Sequence, residues 1–544
     1  MYIINFKYER ETIMKFKKIL PVLFLSASIM MNSVSAFAQE KVLNISTNAE
    51  PPTIDPGLST DTTSGSIIDN VFENLTEMDA NREIGPGAAE SWEVSEDGLV
   101  YTFNLRKDAV WSNGDPVTAQ DFEYSWKRML NPESLASRAN LYYVIEGAED
   151  YNLGDGDAES VGIKAIDDYT FEVTLHSPVA YFLELINHYA FAPVNKNVVE
   201  FDEGWALEAG GNYVTNGPFT LSEWNHNSDY VLSKNENYWD KENVQLDQVN
   251  VQIIESEATG SIQYMNGDLD FIGAPYGAIA LENIPVLEGK GELHTTPYSA
   301  VYWYKLNTTD EVMSNVNIRK ALALAIDRQA LVDNVTHGKH IPATGIVPPT
   351  IEGFEESRNY FQDADFEVAK EYLSTGLEEL GISDPSELTI RLSINTSEAH
   401  STIAQFIQEG WNQNLGVNVV IDNTEWQVYL DKISMLDYQV ARLGWAADYN
   451  DAASFLNMYR KVDTGNNDTG WESEEFKTLI DEASLELDAS VRTDLLLQAE
   501  AVMMDAMPVI PIYHNESIYA NKEYVKNMEP DALGRYNLKY VDVE

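Results

Sequence analysis

Short segments in which apolar and polar residues alternate, and longer ones with apolar residues at helical spacing, follow one another from Val42 to the C-terminus. No fixed repeat separates them, so a solenoid or propeller does not fit and the chain reads as α/β. From Ser91 to Leu105, residues Trp92, Val94, Tyr101, Phe103 and Leu105 alternate with polar neighbours around Ser95-Glu96-Asp97-Gly98, which predicts a hairpin with a glycine-containing turn. A further strand is predicted from Tyr169 to Leu175, after the turn residues Asp167-Asp168. Between them a helix is expected from Asp121 to Leu130, with Phe122, Trp126 and Met129 on one face and Pro132 beyond its end. This half reads as a compact α+β unit. Farther on, Ile318, Leu322, Ala325, Leu331 and Val335 keep helical spacing across an interruption at Asp327-Arg328, which fits one helix or two short ones. Ile403, Phe406, Ile407 and Trp411 mark another helix face, Gly416 ends it, and Val417, Val419 and Ile421 open a strand. Ser397 is its expected N-cap, which puts His400 in the first turn, where free amides could seat a carboxylate.

Residues 1–38 read as a signal peptide: Lys15, Lys17 and Lys18 form a basic start, Ile19 to Met31 an apolar run, and Ala36-Phe37-Ala38 a small-x-small cleavage site. Met14 is an alternative start. The apolar run falls short of the roughly 20 residues a bilayer span needs, and no later segment comes close, so an exported, soluble protein of 506 residues (544 minus 38) is expected. That length is a prior for about three domains. The absence of cysteine excludes disulfides, thiol nucleophiles, thiolate metal sites and a lipid anchor on an N-terminal cysteine. The formal charge of -53 becomes -56 without residues 1–38, which carry five Lys or Arg against two Glu; nucleic acid is thereby excluded as a partner. Acidic residues spread over the whole chain suit a solvated surface better than a focused field for cations.

Hydrolase, zincin, P-loop and dinucleotide fingerprints are missing, and no residue stands out as catalytic or as holding a cofactor. His337 and His340 have a spacing open to a metal, but Gly338 and Pro342 spoil a regular helix face. Asp155-Gly156-Asp157 lacks the rest of a calcium loop and reads as a solvated turn. No metal is therefore expected. Among 29 Tyr and 11 Trp, clusters at Tyr298 to Tyr304 and around Trp426 and Trp445 suit either a core or the wall of a ligand pocket.

The stretch from Arg442 through Gly444 and Trp445 to Asp448 places a cation and an anion six residues apart beside an aromatic ring. Six extended residues reach at most about 20 Å, and a turn after Gly444 would shorten this toward the roughly 10 Å of an extended tripeptide. The pair could face the two ends of a zwitterion, or form a surface ion pair at a strand exit.

Several ordered blocks settle on a resemblance: Ala89-Glu90-Ser91-Trp92, Tyr101 to Arg106, Val117 to Phe122, Thr215-Asn216-Gly217-Pro218-Phe219, Asn237-Tyr238-Trp239, Gly267-Asp268-Leu269-Asp270, Arg319 to Leu322 with Asp327-Arg328, and Trp445 to Asn450. From Val42 onward the chain resembles the oligopeptide-binding proteins, extracytoplasmic solute-binding receptors (family 5) of peptide ABC importers. The resemblance implies a class II periplasmic-binding-protein-like flytrap of two lobes with an additional α+β domain. It places domain I at 39–72, 197–299 and 515–544, domain II at 73–196, and domain III at 300–514. It implies that Asp448 receives a peptide's α-ammonium and that Arg442 and His400 receive the α-carboxylate of peptides of different length. Asn395, Trp426, Trp445, Tyr298 and Trp303 match pocket-lining positions, with Gly444 beside them. A lysine that assists the C-terminus in relatives is Thr336 here, a pocket arginine is Ile433, and two disulfide positions are Ala300 and Ala446. The function implied is capture of short peptides, without chemistry on them, for integral-membrane permease subunits with cytoplasmic ATPases. The receptor would act as a monomer, in a periplasm or otherwise secreted or held at the cell surface. Receptors of the same fold for a dipeptide, a murein or signalling peptide, a nickel complex or an oligosaccharide stay open, as does, more remotely, a secreted carbohydrate-active or peptidase-like enzyme.

Overall fold

A computed structural model describes residues 40–134, 136–202, 204–356, 358–462 and 466–544; the signal-peptide segment lies outside the described residues. Three larger sheets, beside two two-stranded ones, organise the described residues. The first has Val42–Thr47 parallel to Gln248–Ile253, followed by Asp229–Lys234 and Phe219–Asn225 in antiparallel order. The second is an antiparallel sheet of Ala89–Val94, Val100–Leu105, Thr170–Thr174 and Ile163–Asp167. Its first two strands are the predicted hairpin, turning through Gly98 at φ 72°, a left-handed conformation that favours glycine.

The predicted helix beside this sheet runs Ala119–Leu130, one turn fragment earlier than its apolar face alone indicates. Its start is fixed by a capping box in which Asp121 Oδ2 accepts from the Thr118 N–H at 2.9 Å. Phe122, Trp126 and Met129 are buried on its inner face. Trp126 meets Phe171 edge-on at 5.1 Å and donates its indole N–H to the Phe191 carbonyl at 2.9 Å, so its bulk is buried with its polar atom satisfied. Both sheets share one continuous apolar core, with Leu43, Ile45, Val249 and Val251 from the first and Phe103, Phe171 and Val173 from the second.

The third sheet runs Phe271–Gly273, Val509–Asn521, Leu293–Leu306, Val440–Ala446, Thr389–Asn395 and Asn418–Thr424, with Ile341–Pro342 added to Val509–Asn521. Period-two alternation along Leu293–Leu306 assigns its side chains to two cores. Tyr302, Tyr304 and Leu306 pack with the helices Val316–Leu324, Phe366–Leu380 and Glu398–Leu415. Val301 and Trp303 pack on the other side with Glu474–Leu485 and Ala489–Ala506. The segment from Ile318 to Val335 forms two helices, Val316–Leu324 and Arg328–Asn334, because Asp327 Oδ1 accepts from the Ala330 N–H and restarts the helix. Ser397 and Gly416 bound the helix Glu398–Leu415 as expected.

Two long strands, Leu293–Leu306 and Val509–Asn521, pair over most of their length, and their register breaks between Pro297 and Val301. The break lies beside Tyr298, at the edge of the cavity described next.

Candidate functional site

A cavity of about 520 Å³ is lined by segments far apart in the chain. Asp448, Arg442, Trp426, Trp445, Gly444 and Tyr298 all line it, so six of the nine expected site residues are brought together. Arg442 and Gly444 sit on Val440–Ala446, which pairs along its whole length with Leu293–Leu306 and, at Val440 and Ala441, also with Thr389–Asn395. The Tyr429 hydroxyl donates to the Arg442 carbonyl at 2.6 Å and to the Ser393 carbonyl at 3.1 Å, tying that strand to its parallel neighbour. At Gly444 a Cβ would stand 3.1 Å from the Val301 carbonyl, a contact that favours glycine there. Gly534, at φ 79°, likewise leaves room for Tyr298, whose ring a Cβ would strike at 2.5 Å.

The Arg442 guanidinium lies 4.6 Å from the centre of the Tyr302 ring and donates from Nη1 to Asn395 Oδ1 at 3.2 Å. Asn395 thus touches the cavity arginine without lining the cavity. Arg442 Nε is buried and has no hydrogen-bond partner. A buried donor left unmade costs about 1–3 kcal/mol, which an acceptor on a ligand would recover.

Asp448 stands two residues beyond the strand, its N–H donated to Ser454 Oγ at 2.8 Å. It is 5% exposed. Its Oδ1 accepts from Arg138 Nη1 at 2.6 Å and faces His188 Nε2 at 3.2 Å. His188 Nδ1 accepts the Ala190 N–H at 3.1 Å, which leaves the ring proton on Nε2, directed at Asp448. Burial pushes the Asp448 carboxyl up, but the Arg138 charge and the His188 donor outweigh it and hold it below its ordinary value. Burial likewise pushes His188 down, so Asp448 is ionised and His188 neutral.

His400 lies in the first turn of Glu398–Leu415, its Nδ1 3.4 Å from the Tyr302 hydroxyl, behind the cavity wall. Burial and the Arg442 charge push its pKa well down, so it is a neutral imidazole. The amide seat expected at this helix start is already taken. The His400 N–H goes to Ser397 Oγ at 3.1 Å and the Ala399 N–H to Glu257 Oε2 at 2.9 Å. Glu398 returns the contact, accepting from the Ser256 hydroxyl at 3.0 Å and the Ala258 N–H at 2.8 Å. Two Ser-Glu helix starts from distant parts of the chain thus cap one another.

Trp303 does not belong to the cavity. The strand alternation that points Tyr302 toward Arg442 sends Trp303 into the opposite core, edge-on to Tyr459 at 6.2 Å. Of the departures from the family pattern, Ile433 lines the cavity, whereas Thr336 is buried and bonds back to the Val332 carbonyl at 3.1 Å. Ala300 and Ala446 are direct partners in adjacent antiparallel strands. His340 stacks on Tyr513 at 4.4 Å, with burial lowering it to about 4, and no group of three metal-ligating side chains occurs among the described residues. Asp155-Gly156-Asp157 follows the short helix Ala148–Asn152 as a turn, the Asp155 N–H donating to the Asp150 carbonyl at 2.8 Å.

Arg138 and His188 were missed from the sequence. Both come from loops, and Arg138 is 310 residues from its partner, so no local pattern marks it. A second space of about 440 Å³ adjoins the cavity through the shared residues Asp69, Tyr189, Arg535 and Tyr536.

A cavity lined from several α/β units and carrying fixed charges of both signs suits the binding of a small polar ligand. Comparison with known proteins narrows the class. Residues 83–467 match the family described as bacterial extracellular solute-binding proteins, family 5 (middle region), and the chain belongs to that family. It is 45% identical over 494 residues to the oligopeptide-binding protein OppA of Bacillus subtilis, covering 90% of this chain and 91% of that one. The structure is similar to Haemophilus influenzae OppA in complex with RPPGFSPFR, at TM-score 0.87 and 31% identity over 93% of this chain and 99% of the other. It is also similar to the Escherichia coli murein tripeptide binding protein MppA at TM-score 0.87 and 28% identity, covering 93% and 99%. Against the unliganded open form of MppA the score falls to 0.61, with 28% identity and coverage of 93% and 98%. The fold is the class II two-lobe binding-protein fold with an additional α+β domain.

Proposed function

We propose that this protein is an extracytoplasmic oligopeptide receptor that encloses short peptides between two lobes and hands them to an ABC-type permease without altering them. The observation that carries this reading is the lining of one cavity by Asp448 and Arg442, an ionised carboxylate and a guanidinium with an unused donor. Asp448 Oδ2 receives the α-ammonium. Arg442 receives the α-carboxylate, held in place by Asn395 and by the Tyr302 ring. His400, neutral and behind Tyr302, serves longer peptides whose carboxylate lies farther along. Trp426, Trp445 and Tyr298 supply apolar walls that accept varied side chains. Fixed charges at both ends select chain length, while walls without a complementary charge leave side chains weakly discriminated.

The register break between Pro297 and Val301 supports a hinge near 299–300 and 514–515, which separates segments 39–72, 197–299 and 515–544 from 300–514, with 73–196 as the extra domain. Closure about that hinge brings Arg138 to Asp448 and Glu257 to Ala399, and the poor match to an open relative supports a closed arrangement here. Support for peptides over other solutes comes from the similarity to oligopeptide-binding relatives, one of them seen with a nonapeptide. The signal-like segment 1–38 and the absence of cysteine support export to a periplasm without a lipid anchor.

The test is native mass spectrometry of the purified protein, then calorimetric titration of tri- to pentapeptides, free or C-terminally amidated, into wild type and Arg442→Met. Co-purified peptides, with amidation costing roughly tenfold or more in wild type and nearly nothing in the variant, support the reading. Binding indifferent to amidation in both proteins, or no peptide binding at all, refutes it.

A further inference from the structure

Every cation-binding role for Asp448 has to reckon with Arg138. This arginine comes from the loop before the 3-10 helix Ala139–Val144, in the segment of the additional domain, and reaches into the cavity with 7% of its surface exposed. Nη1 bonds Asp448 Oδ1 at 2.6 Å and Nη2 the Thr60 carbonyl at 2.9 Å. Its guanidinium carbon lies 4.9 Å from the Trp445 ring and 5.8 Å from the Tyr189 ring. Two hydrogen bonds and two aromatic faces fix it in place. Its third kind of donor, Nε, is buried and makes no hydrogen bond of good geometry, with the Tyr189 hydroxyl as its near neighbour, and the Trp445 indole N–H is likewise buried and unpaired. In this closed arrangement an ammonium-binding aspartate is thus neutralised by the protein itself, with two unused donors next to it.

The charge balance differs from that of a bare aspartate. Arg138 offsets Asp448 with His188 neutral, and elsewhere in the lining Asp468 is paired with Lys305 and Arg535 with Asp531, so the Asp448 end presents no net negative charge to an ammonium, while Arg442 and Asp431 line the cavity with opposite signs. Asp61, also in the lining, already takes the N–H groups of Thr63 and Ser64 at 3.0 and 3.1 Å as the N-cap of Thr62–Val71, and burial pushes it up rather than down. Asp69 is pushed up to about 7 by burial.

We infer that Arg138 is a specificity-determining residue that weakens the demand for a free α-ammonium and favours a first residue carrying a hydrogen-bond acceptor, above all an aspartate or glutamate side chain. The acceptor would meet Arg138 Nε and the Trp445 indole N–H, while the ammonium, when present, shares Asp448 through Oδ2. This rests on the peptide reading and on Asp448 as the amino-end anchor.

The experiment is calorimetric titration of four peptides into wild type, Arg138→Met and Arg138→Lys: one with glutamate first, one with glutamine first, and the N-acetyl form of each. In wild type, acetylation is expected to cost less than about tenfold and glutamate to bind about tenfold tighter than glutamine. In Arg138→Met the acetylation cost should rise beyond about a hundredfold and the glutamate preference vanish or reverse. Arg138→Lys keeps the charge but has no Nε and cannot span Asp448 and Thr60. It should keep the tolerance of acetylation and lose the glutamate preference, which leaves a reading even where Arg138→Met fails to fold. Acetylation penalties equal within twofold in wild type and Arg138→Met, or a glutamate preference unchanged in both variants, overturn the inference while leaving the peptide reading intact. Wild type that binds none of the four overturns both.

Discussion

Replacing Asp448 by asparagine keeps the shape of the side chain and removes its charge, so the Arg138 guanidinium is left buried without a counterion. The two side chains are 6% and 8% exposed, so water screens the pair little. Breaking a buried pair by removing one partner costs about 3–5 kcal/mol. The retained Asn Oδ1 can still accept from Nη1, so about 3 kcal/mol is the working figure. Unfolding entropy of about 2.1 cal/mol/K per residue, over the residues 40–544, gives about 1.1 kcal/mol/K, so Tm should fall by about 3 °C. Scanning calorimetry of the closed form, each protein held with peptide at the same multiple of its own Kd, measures this. Asp448→Asn with Arg138→Met removes both charges and should recover most of the loss. The pH dependence has a definite sign. The folded Asp448 is held below its ordinary value of 3.8, so its contribution is fully present above that value and is lost only as pH falls through the lower, folded one. The gap in Tm between wild type and Asp448→Asn should therefore stay constant from pH 8 to 5 and close only below about pH 4. A single variant as stable as wild type, a double variant no better than the single, or a gap that closes near neutrality would refute the ion-pair argument.

Asp69 behaves in the opposite sense: held up to about 7 by burial, it stays protonated in the folded protein while the unfolded chain ionises, so stability falls as pH rises from about 4 to 7. Asp69→Asn should flatten that part of the Tm–pH profile, and a profile of unchanged slope would count against it. Glu257→Ala removes the acceptor for the Ala399 N–H, a cap worth about 1 kcal/mol to the closed arrangement, and should weaken peptide binding roughly fivefold in calorimetry without touching the ligand. Unchanged affinity would place that contact outside the closing motion. Trp303→Phe should lower Tm while leaving peptide affinity within about twofold, because its ring packs with Tyr459 rather than in the cavity. A large loss of affinity at unchanged Tm would restore it to the site.

Much of the secondary structure was legible along the chain because its causes are local. The hairpin through Gly98, the helix opened by Thr118 and Asp121, and the helix bounded by Ser397 and Gly416 each follow from side chains within one turn of the backbone group they satisfy. The ordered family blocks carried the fold class and pointed to Arg442 and Asp448, which share one strand and its exit. Tertiary structure alone decided what those charges meet. Trp303 could not be told from a pocket residue, because both faces of its strand are buried and alternation does not say which core lies on which side. The free amides expected beside His400 are filled by Glu257 from 142 residues away, and the anion at Asp448 is neutralised by Arg138 from 310 residues away. Periodicity and capping act over a few residues, whereas a counterion's identity depends on which lobes come together; the amino-acid sequence specifies that meeting only through the packed whole.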